Sequence, residues 1–265
     1  MGEFAALIHN ENIKIYRRLR TWIMLFILAV MSALFPALIH FTSGDSEVTI
    51  GLWDSFQTTV AIAFFLNTIF TALVAADSVA GEFTWGTIKL LLIRPWSRSK
   101  ILLSKYISMV LFSLLSTAVL IVFGYGSSII FASSAAAVDS VANPQMAWSQ
   151  GEYAFLMIMC AFIELFLTAA IAFMISSVFR SSGLAIVLSL SILFTKDIFM
   201  AIFSPERYEW ANYLIFAHMN LNAYLLSDTG PGGATLGFAV AVLAVYYVIF
   251  MLVSWLVFRK RDVAA

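Results

Sequence analysis

Glu82, Phe83, Trp85, Gly86, Thr87 and Lys89, followed by Arg94 and Arg98, place a carboxylate, two aromatic rings and several cations in one polar stretch, 77–106, of an otherwise apolar chain. Exposed rings bounded by charge suit the docking of a partner protein. A helix lying among lipid headgroups would use the same residues, with its cations facing anionic lipid. Composition alone leaves both readings open. Other chemistry-bearing residues stand inside strongly apolar runs: Glu164, Asn67, Lys196 and Asp197. A carboxylate deep in a bilayer is costly and must face protein or water. For Glu164, a bond that ties helices together is favoured over contact with a substrate, because Thr168 and other hydroxyls lie within helical reach. Lys196 and Asp197 are adjacent and so point in different directions, and Lys196 lies near one end of its run, where a lysine can snorkel. Asn67, with Ser113, Ser116 and Thr117, reads first as an interhelical hydrogen-bonding set.

Catalytic patterns are missing from this inventory. No G-x-x-x-x-G-K-[ST] loop occurs, so ATP is not expected on this chain through a P-loop. His9, His40 and His218 are too scattered for a zinc site. Ser127 and Ser128 have no histidine partner at membrane depth, and the Lys89…Arg94-Pro95 run lacks the spacing and histidines of a membrane phosphatase. Cys160 is the one cysteine, which excludes an intrachain disulfide. No catalytic, cofactor-binding or metal-binding residue is expected, and the chain is not read as an enzyme.

The elements that carry these residues follow from hydropathy. The 265 residues are 62% hydrophobic and only 11% charged, with a mean hydropathy of +0.95. A soluble globule of this size cannot cover its surface with so few charges. A soluble enzyme, a disordered chain and a nucleic-acid binder are therefore excluded. Six runs are long enough to cross a bilayer core of roughly 30 Å as helices. They lie at about 22–41, 56–76, 101–131, 153–178, 183–203 and 235–258. Helix is required because lipid offers the backbone no hydrogen-bond partner. The third run is longer than necessary and is expected to tilt, or to break near Gly124-Tyr125-Gly126. The fold class is thus an all-α polytopic membrane protein, one membrane domain over 1–265 without a linker or internal repeat.

Charge orients it. Lys14, Arg17, Arg18, Arg20, Lys89, Arg94, Arg98, Lys100, Lys105, Arg180, Arg259, Lys260 and Arg261 fall at one end of the six runs, which is thirteen of the fifteen basic residues. By the positive-inside rule that end, with both termini, is cytoplasmic. Trp22, Trp53, Trp148, Trp210 and Trp255 fall at run ends, as an aromatic belt requires. Phe4, Leu7, Ile8, Ile15 and Leu19 recur at helical spacing opposite Lys14, Arg17 and Arg18. They predict an amphipathic N-terminal helix in the inner interface, against the alternative of a flexible tail. Within 77–106, residues 82–92 read as a short helix with acid in its first turn and Lys89 later, stopped by Pro95.

Glu82-x-x-x-Gly86-Thr87-x-Lys89, then Arg94-Pro95-x-Ser97-Arg98, then Lys105, resembles the first cytoplasmic loop of permease subunits of type-2 ABC (ATP-binding cassette) exporters. Asn10-Glu11-Asn12-x-Lys14 ahead of Thr21-Trp22, and Phe179-Arg180-Ser181-Ser182, are similar to that family as well. The resemblance implies two permease chains, as a homodimer or heterodimer, each carried on a cytoplasmic ABC ATPase subunit that holds ATP and Mg. It implies a coupling helix around 82–92 that seats in the ATPase, an interfacial N-terminal helix, and an outer re-entrant element between the last two spans. Trp210–Leu226 is apolar enough for that element, and equally for a helix flat on the outer leaflet. The resulting expectation is a multi-pass bacterial cell-membrane exporter of a hydrophobic or amphipathic cargo: a peptide, a lipid-linked molecule or a drug. A membrane scaffold or sensor without transport, and an ion-coupled carrier, stand as alternatives.

Overall fold

A backbone in hydrocarbon must satisfy its own hydrogen bonds, and long apolar helices do so within a single segment. A computed structural model describes residues 2–43, 51–88, 96–131, 148–227 and 229–260, and among these it is helical with no strand. A short helix α1 (Gly2–Tyr16) leads into α2 (Leu19–Ser43), α3 (Leu52–Thr84), α4 (Arg98–Phe131), α5 (Gln150–Val178) and α6 (Ser182–Ile202). Two four-residue helices, α7 (Ile215–His218) and α8 (Ala223–Leu226), precede α9 (Leu236–Lys260). Helices α2 to α6 and α9 are six candidate membrane spans, the number the hydropathy predicts.

Helix α3 is the hub of the packing. It lies against α2, α4, α5 and α6, and α5 also meets α6 and α9. Its buried face is rich in small residues, Ala72, Ala75, Ala76, Ala80 and Gly81 among them, which lets neighbouring backbones approach closely. Ala169 and Ala172 of α5 answer them in the same core. Ser176 of α5 comes close enough for its hydroxyl oxygen to accept from the backbone N–H groups of Val79 (3.1 Å) and Ala80 (2.9 Å). A second core, around Leu28, Phe56, Phe64, Leu120 and Leu165, fills the other half of the bundle. Helices α6 and α9 expose most of their surface.

Three sequence expectations change. Helix α4 is unbroken from Arg98 to Phe131. Gly124 serves packing instead: a Cβ there would touch the Thr59 methyl at 3.4 Å and the Phe56 ring at 3.7 Å. Helix α3 does not stop near Ala76 but continues through Asp77 and Glu82 to Thr84. Its polar end is tolerated because both carboxylates meet cations from other helices. Glu82 therefore ends the second span rather than opening a new helix, and the turn begins at Trp85. Leu19, assigned by spacing to the apolar face of the N-terminal helix, instead begins α2 and is exposed. Helix α1 is amphipathic as expected in its burial of Leu7, but it also buries Glu11, and it packs on α4.

Between α6 and α9 the chain forms no continuous helix. A 3-10 turn (Glu209–Tyr213), α7, α8 and a second 3-10 turn (Pro231–Gly233) fold back so that Ile215, His218, Met219 and Leu221 are buried. His218, which the sequence places merely in an outer loop, is fully enclosed. Its Nε2 lies 2.7 Å from the Asn212 carbonyl oxygen and its Nδ1 3.0 Å from the Tyr224 hydroxyl. A carbonyl only accepts, so Nε2 carries a proton and donates to it.

Candidate functional site

At the basic end of the bundle, α1, α3 and α4 converge on four charged side chains. Glu11 and Lys14 sit three residues apart on α1, one turn, and so share a face. The extension of α3 brings Glu82 to the same level, and Lys105 projects from the second turn of α4. The Lys105 ammonium is almost fully buried between Glu11 Oε2 at 2.8 Å and Glu82 Oε1 at 2.9 Å. Lys14 closes the ring, 2.7 Å from Glu11 Oε1 and 2.7 Å from Glu82 Oε1. Two carboxylates and two ammoniums alternate, so the buried group is neutral as a whole. Glu11, Glu82 and Lys105 have lost most of their water, and removing one of these three would leave another charge under-compensated, at a cost of about 3–5 kcal/mol for a buried pair. Lys14 is partly open to solvent, which screens its share. Burial pulls the Lys14 ammonium toward deprotonation, but Glu11 and Glu82 outweigh it and hold its pKa above the ordinary value. The stability this lends is complete below the unfolded-state pKa and is lost as pH rises through the raised one.

One turn earlier on α3, Asp77 forms a second node. Its Oδ2 takes both Arg18 and Arg20, and Ser182 donates to its Oδ1 at 2.5 Å. Thr84 Oγ1 accepts from the Ser182 N–H at 2.9 Å and donates to the Ala80 carbonyl of its own helix at 3.1 Å, with the Arg180 carbonyl farther off at 3.4 Å. The short link between α5 and α6 is thus tied to the end of α3. Arg98 donates to the Arg259 carbonyl at 2.9 Å, joining the start of α4 to the end of α9.

The expected docking residues therefore separate by role. Glu82 is buried in the ring and also accepts from the Thr87 hydroxyl. Phe83 is half-buried against the core. Trp85 is 74% exposed at the tip. Gly86 turns the chain with φ +66°, a left-handed conformation that favours glycine, and nothing lies within 4 Å of where its Cβ would be. Lys89 and Arg94 lie outside the described residues. A groove of about 870 Å³ opens at this end, lined by Arg18, Arg20, Trp85, Thr87 and Ser182 among others.

The apolar interior holds the other predicted residues. Asn67 Nδ2 donates to Thr117 Oγ1 at 2.9 Å, an α3–α4 bond of the expected kind. Ser113 and Ser116 donate instead to carbonyls of their own helix, Val110 and Ser113. Glu164 does tie helices together, but its partner is Lys196 of α6, through an ion pair. Thr168 donates to the Glu164 backbone carbonyl, not to its carboxylate. Asp197 is exposed on α6.

In the sequence Lys105 and Glu11 stood only as members of the motifs that resemble the permease family, with no partner assigned, and Asp77 only as the start of the polar stretch. Lys105 and Glu11 lie 94 positions apart, and Asp77 lies 59 and 57 positions from Arg18 and Arg20, and no local spacing announces such pairs. The one local clue is that charge is expensive in an apolar run unless it is paired. Among the described residues no cluster of His, Cys, Asp and Glu could hold a metal.

Comparison with known proteins agrees with this architecture. Residues 20–264 match the family described as "Protein of unknown function (DUF2705)". The chain belongs to this family. It is 31% identical over 312 residues to "Uncharacterized protein YhcI" of Bacillus subtilis (strain 168), across 97% of this chain and 99% of that protein. It is 28% identical over 261 residues to "Uncharacterized membrane protein YdbK" of the same organism, across 94% and 99%. It is also similar, at 27% identity over 221 residues, to "Probable ABC transporter permease protein NosY" of Stutzerimonas stutzeri, across 76% of this chain and 78% of that one. The chain is thus a membrane protein with distant homology to an ABC transporter permease.

Proposed function

We propose that this DUF2705 chain is the permease subunit of an ATP-driven exporter in a bacterial cell membrane, with both termini cytoplasmic. The observation that carries the reading is the buried ring of Glu11, Lys14, Glu82 and Lys105 beneath the exposed Trp85–Thr87 turn. A force applied at the turn reaches α1, α3 and α4 together through paired charges. An ABC ATPase subunit that grips Trp85 and its neighbours, with ATP and Mg bound on that subunit, would move three helices as a unit when it closes. The permease relative NosY supports the class. A second permease chain would pack on part of the exposed surface of the spans, leaving the rest to lipid. The cargo is hydrophobic or amphipathic (a peptide, a lipid-linked molecule or a drug), since few ionisable groups line the helices.

Glu82 serves this mechanism as a strut and Trp85 as the contact. Co-purification from the native host should bring down a P-loop ATPase, and Trp85→Ala should lower its substrate-stimulated ATP turnover at least several-fold with thermal stability unchanged. Glu82→Gln should lower stability first. A preparation with no ATPase partner, or a Trp85→Ala variant with undiminished stimulation, overturns the reading. Transport that persists without any ATPase would favour an ion-coupled carrier.

A further inference from the structure

The elbow between α1 and α2 carries more positive charge than its surroundings neutralise. Arg18 and Arg20 share a single carboxylate, that of Asp77, and both keep part of their surface open. Arg17, at the elbow itself, is exposed and has no ion pair among the described residues. The three arginines against Asp77 leave an excess of two positive charges. The acids nearest along α1 and α3, Glu11 and Glu82, are already matched by Lys14 and Lys105.

Directly below the arginines, α2 turns an apolar stripe outward. Leu19 is 74% exposed, Trp22 59% and Phe26 69%. The spacing of three and four residues puts them on one face of the helix, one above another. Trp22 is fixed there, because its indole N–H donates to the Tyr16 carbonyl at 2.8 Å. A water-soluble partner could reach the arginines, but it could not cover a stripe that continues down a membrane-crossing helix through Phe26. A molecule with an anionic head and apolar tails matches both parts at once.

The geometry points to a binding site for an anionic phospholipid at this elbow, its phosphate gripped by Arg17, Arg18 and Arg20 and its acyl chains laid along Leu19, Trp22 and Phe26. The site rests on the six-span fold and not on the transport reading. Clustered arginines at a membrane surface attract anionic headgroups. Here the cluster also sits at the joint between α1 and the first span, so the lipid would pin α1 to the membrane surface.

The test uses the full-length protein in phosphatidylcholine nanodiscs carrying a fixed mole fraction of brominated lipid, a contact quencher of tryptophan. Brominated phosphatidylglycerol should quench more than brominated phosphatidylcholine, and Trp22→Phe should remove the excess. Arg17→Gln and Arg20→Gln should each weaken the preference, by roughly fivefold per charge. Arg17→Gln breaks no ion pair among the described residues, so it keeps the test sound where loss of the Arg20–Asp77 bond impairs folding. Equal quenching by the two lipids, or an excess that survives Arg17→Gln, overturns the site. Displacement by a large excess of soluble glycerol phosphate would assign the arginines to a free phosphate and also overturn it. So would loss of the preference when a co-purified ATPase is present, which would give the arginines to that protein.

Discussion

At the level of single residues, the decisive feature is that the buried carboxylates among the described residues, Glu11, Asp77 and Glu82, and Glu164 within its span, each meet a cation from another helix or from the elbow between helices. Glu164 and Lys196 show the consequence. A carboxylate and an ammonium at membrane depth tolerate each other's company but not solitude. Glu164→Gln is therefore not a mild change: it keeps a hydrogen-bonding group but strands Lys196. Glu164→Lys and Lys196→Glu should each lower resistance to thermal unfolding in detergent. The double swap should restore most of it, measured as a positive coupling in a double-mutant cycle. If the double variant is as weak as the sum of the singles, the two side chains do not interact. The same logic governs the ring of Glu11, Lys14, Glu82 and Lys105, where one exchange disturbs three helices. Hydropathy could flag these residues as costly. It could not say which of them would meet.

At the level of elements, small residues decide how closely α3 packs. Ser176 reaches the backbone of α3, and Gly124 lets α4 rest against Thr59 and Phe56. A Cβ at Gly124 meets ordinary contact distances, so Gly124→Ala should be nearly neutral, and alanine also suits a helix better than glycine. Gly124→Leu has no room on that face. It should destabilise by about 1–3 kcal/mol, the usual cost of overpacking, read as a lower unfolding midpoint with helicity retained by circular dichroism. Equal effects of the two substitutions would mean that α3 and α4 do not meet at this glycine. In the sequence, Gly124 reads as a place where the helix could break. The break does not occur because the carbonyls and N–H groups of a membrane helix have no better partners than each other.

At the level of the whole molecule, basic residues gather at one end. Lys14, Arg17, Arg18, Arg20, Arg98, Lys100, Lys105, Arg180, Arg259 and Lys260 are all there, while the described part of the opposite end holds Arg207 with Asp54, Glu152, Glu206 and Glu209. The proposed orientation, which follows the positive-inside rule, puts the first end in the cytoplasm. In a Cys160→Ser background, a cysteine at Trp85 should react with a membrane-impermeant maleimide in inverted vesicles and not in intact cells, and one at Tyr208 should do the reverse. The opposite pattern would invert the topology and remove any cytoplasmic docking at the Trp85 turn.

The number of spans and the segregation of charge were legible in the sequence. Each is a property of a local window, set by the transfer of successive side chains into hydrocarbon. Only the tertiary structure decided that α3 runs on to Thr84, that Glu82 faces inward while Trp85 faces out, and that Lys105 meets Glu11 across 94 positions. Those outcomes depend on how rigid helices are rotated and stacked against one another. The energy of a buried charge is settled by the neighbour that arrives from another helix, and no window along the chain contains that neighbour.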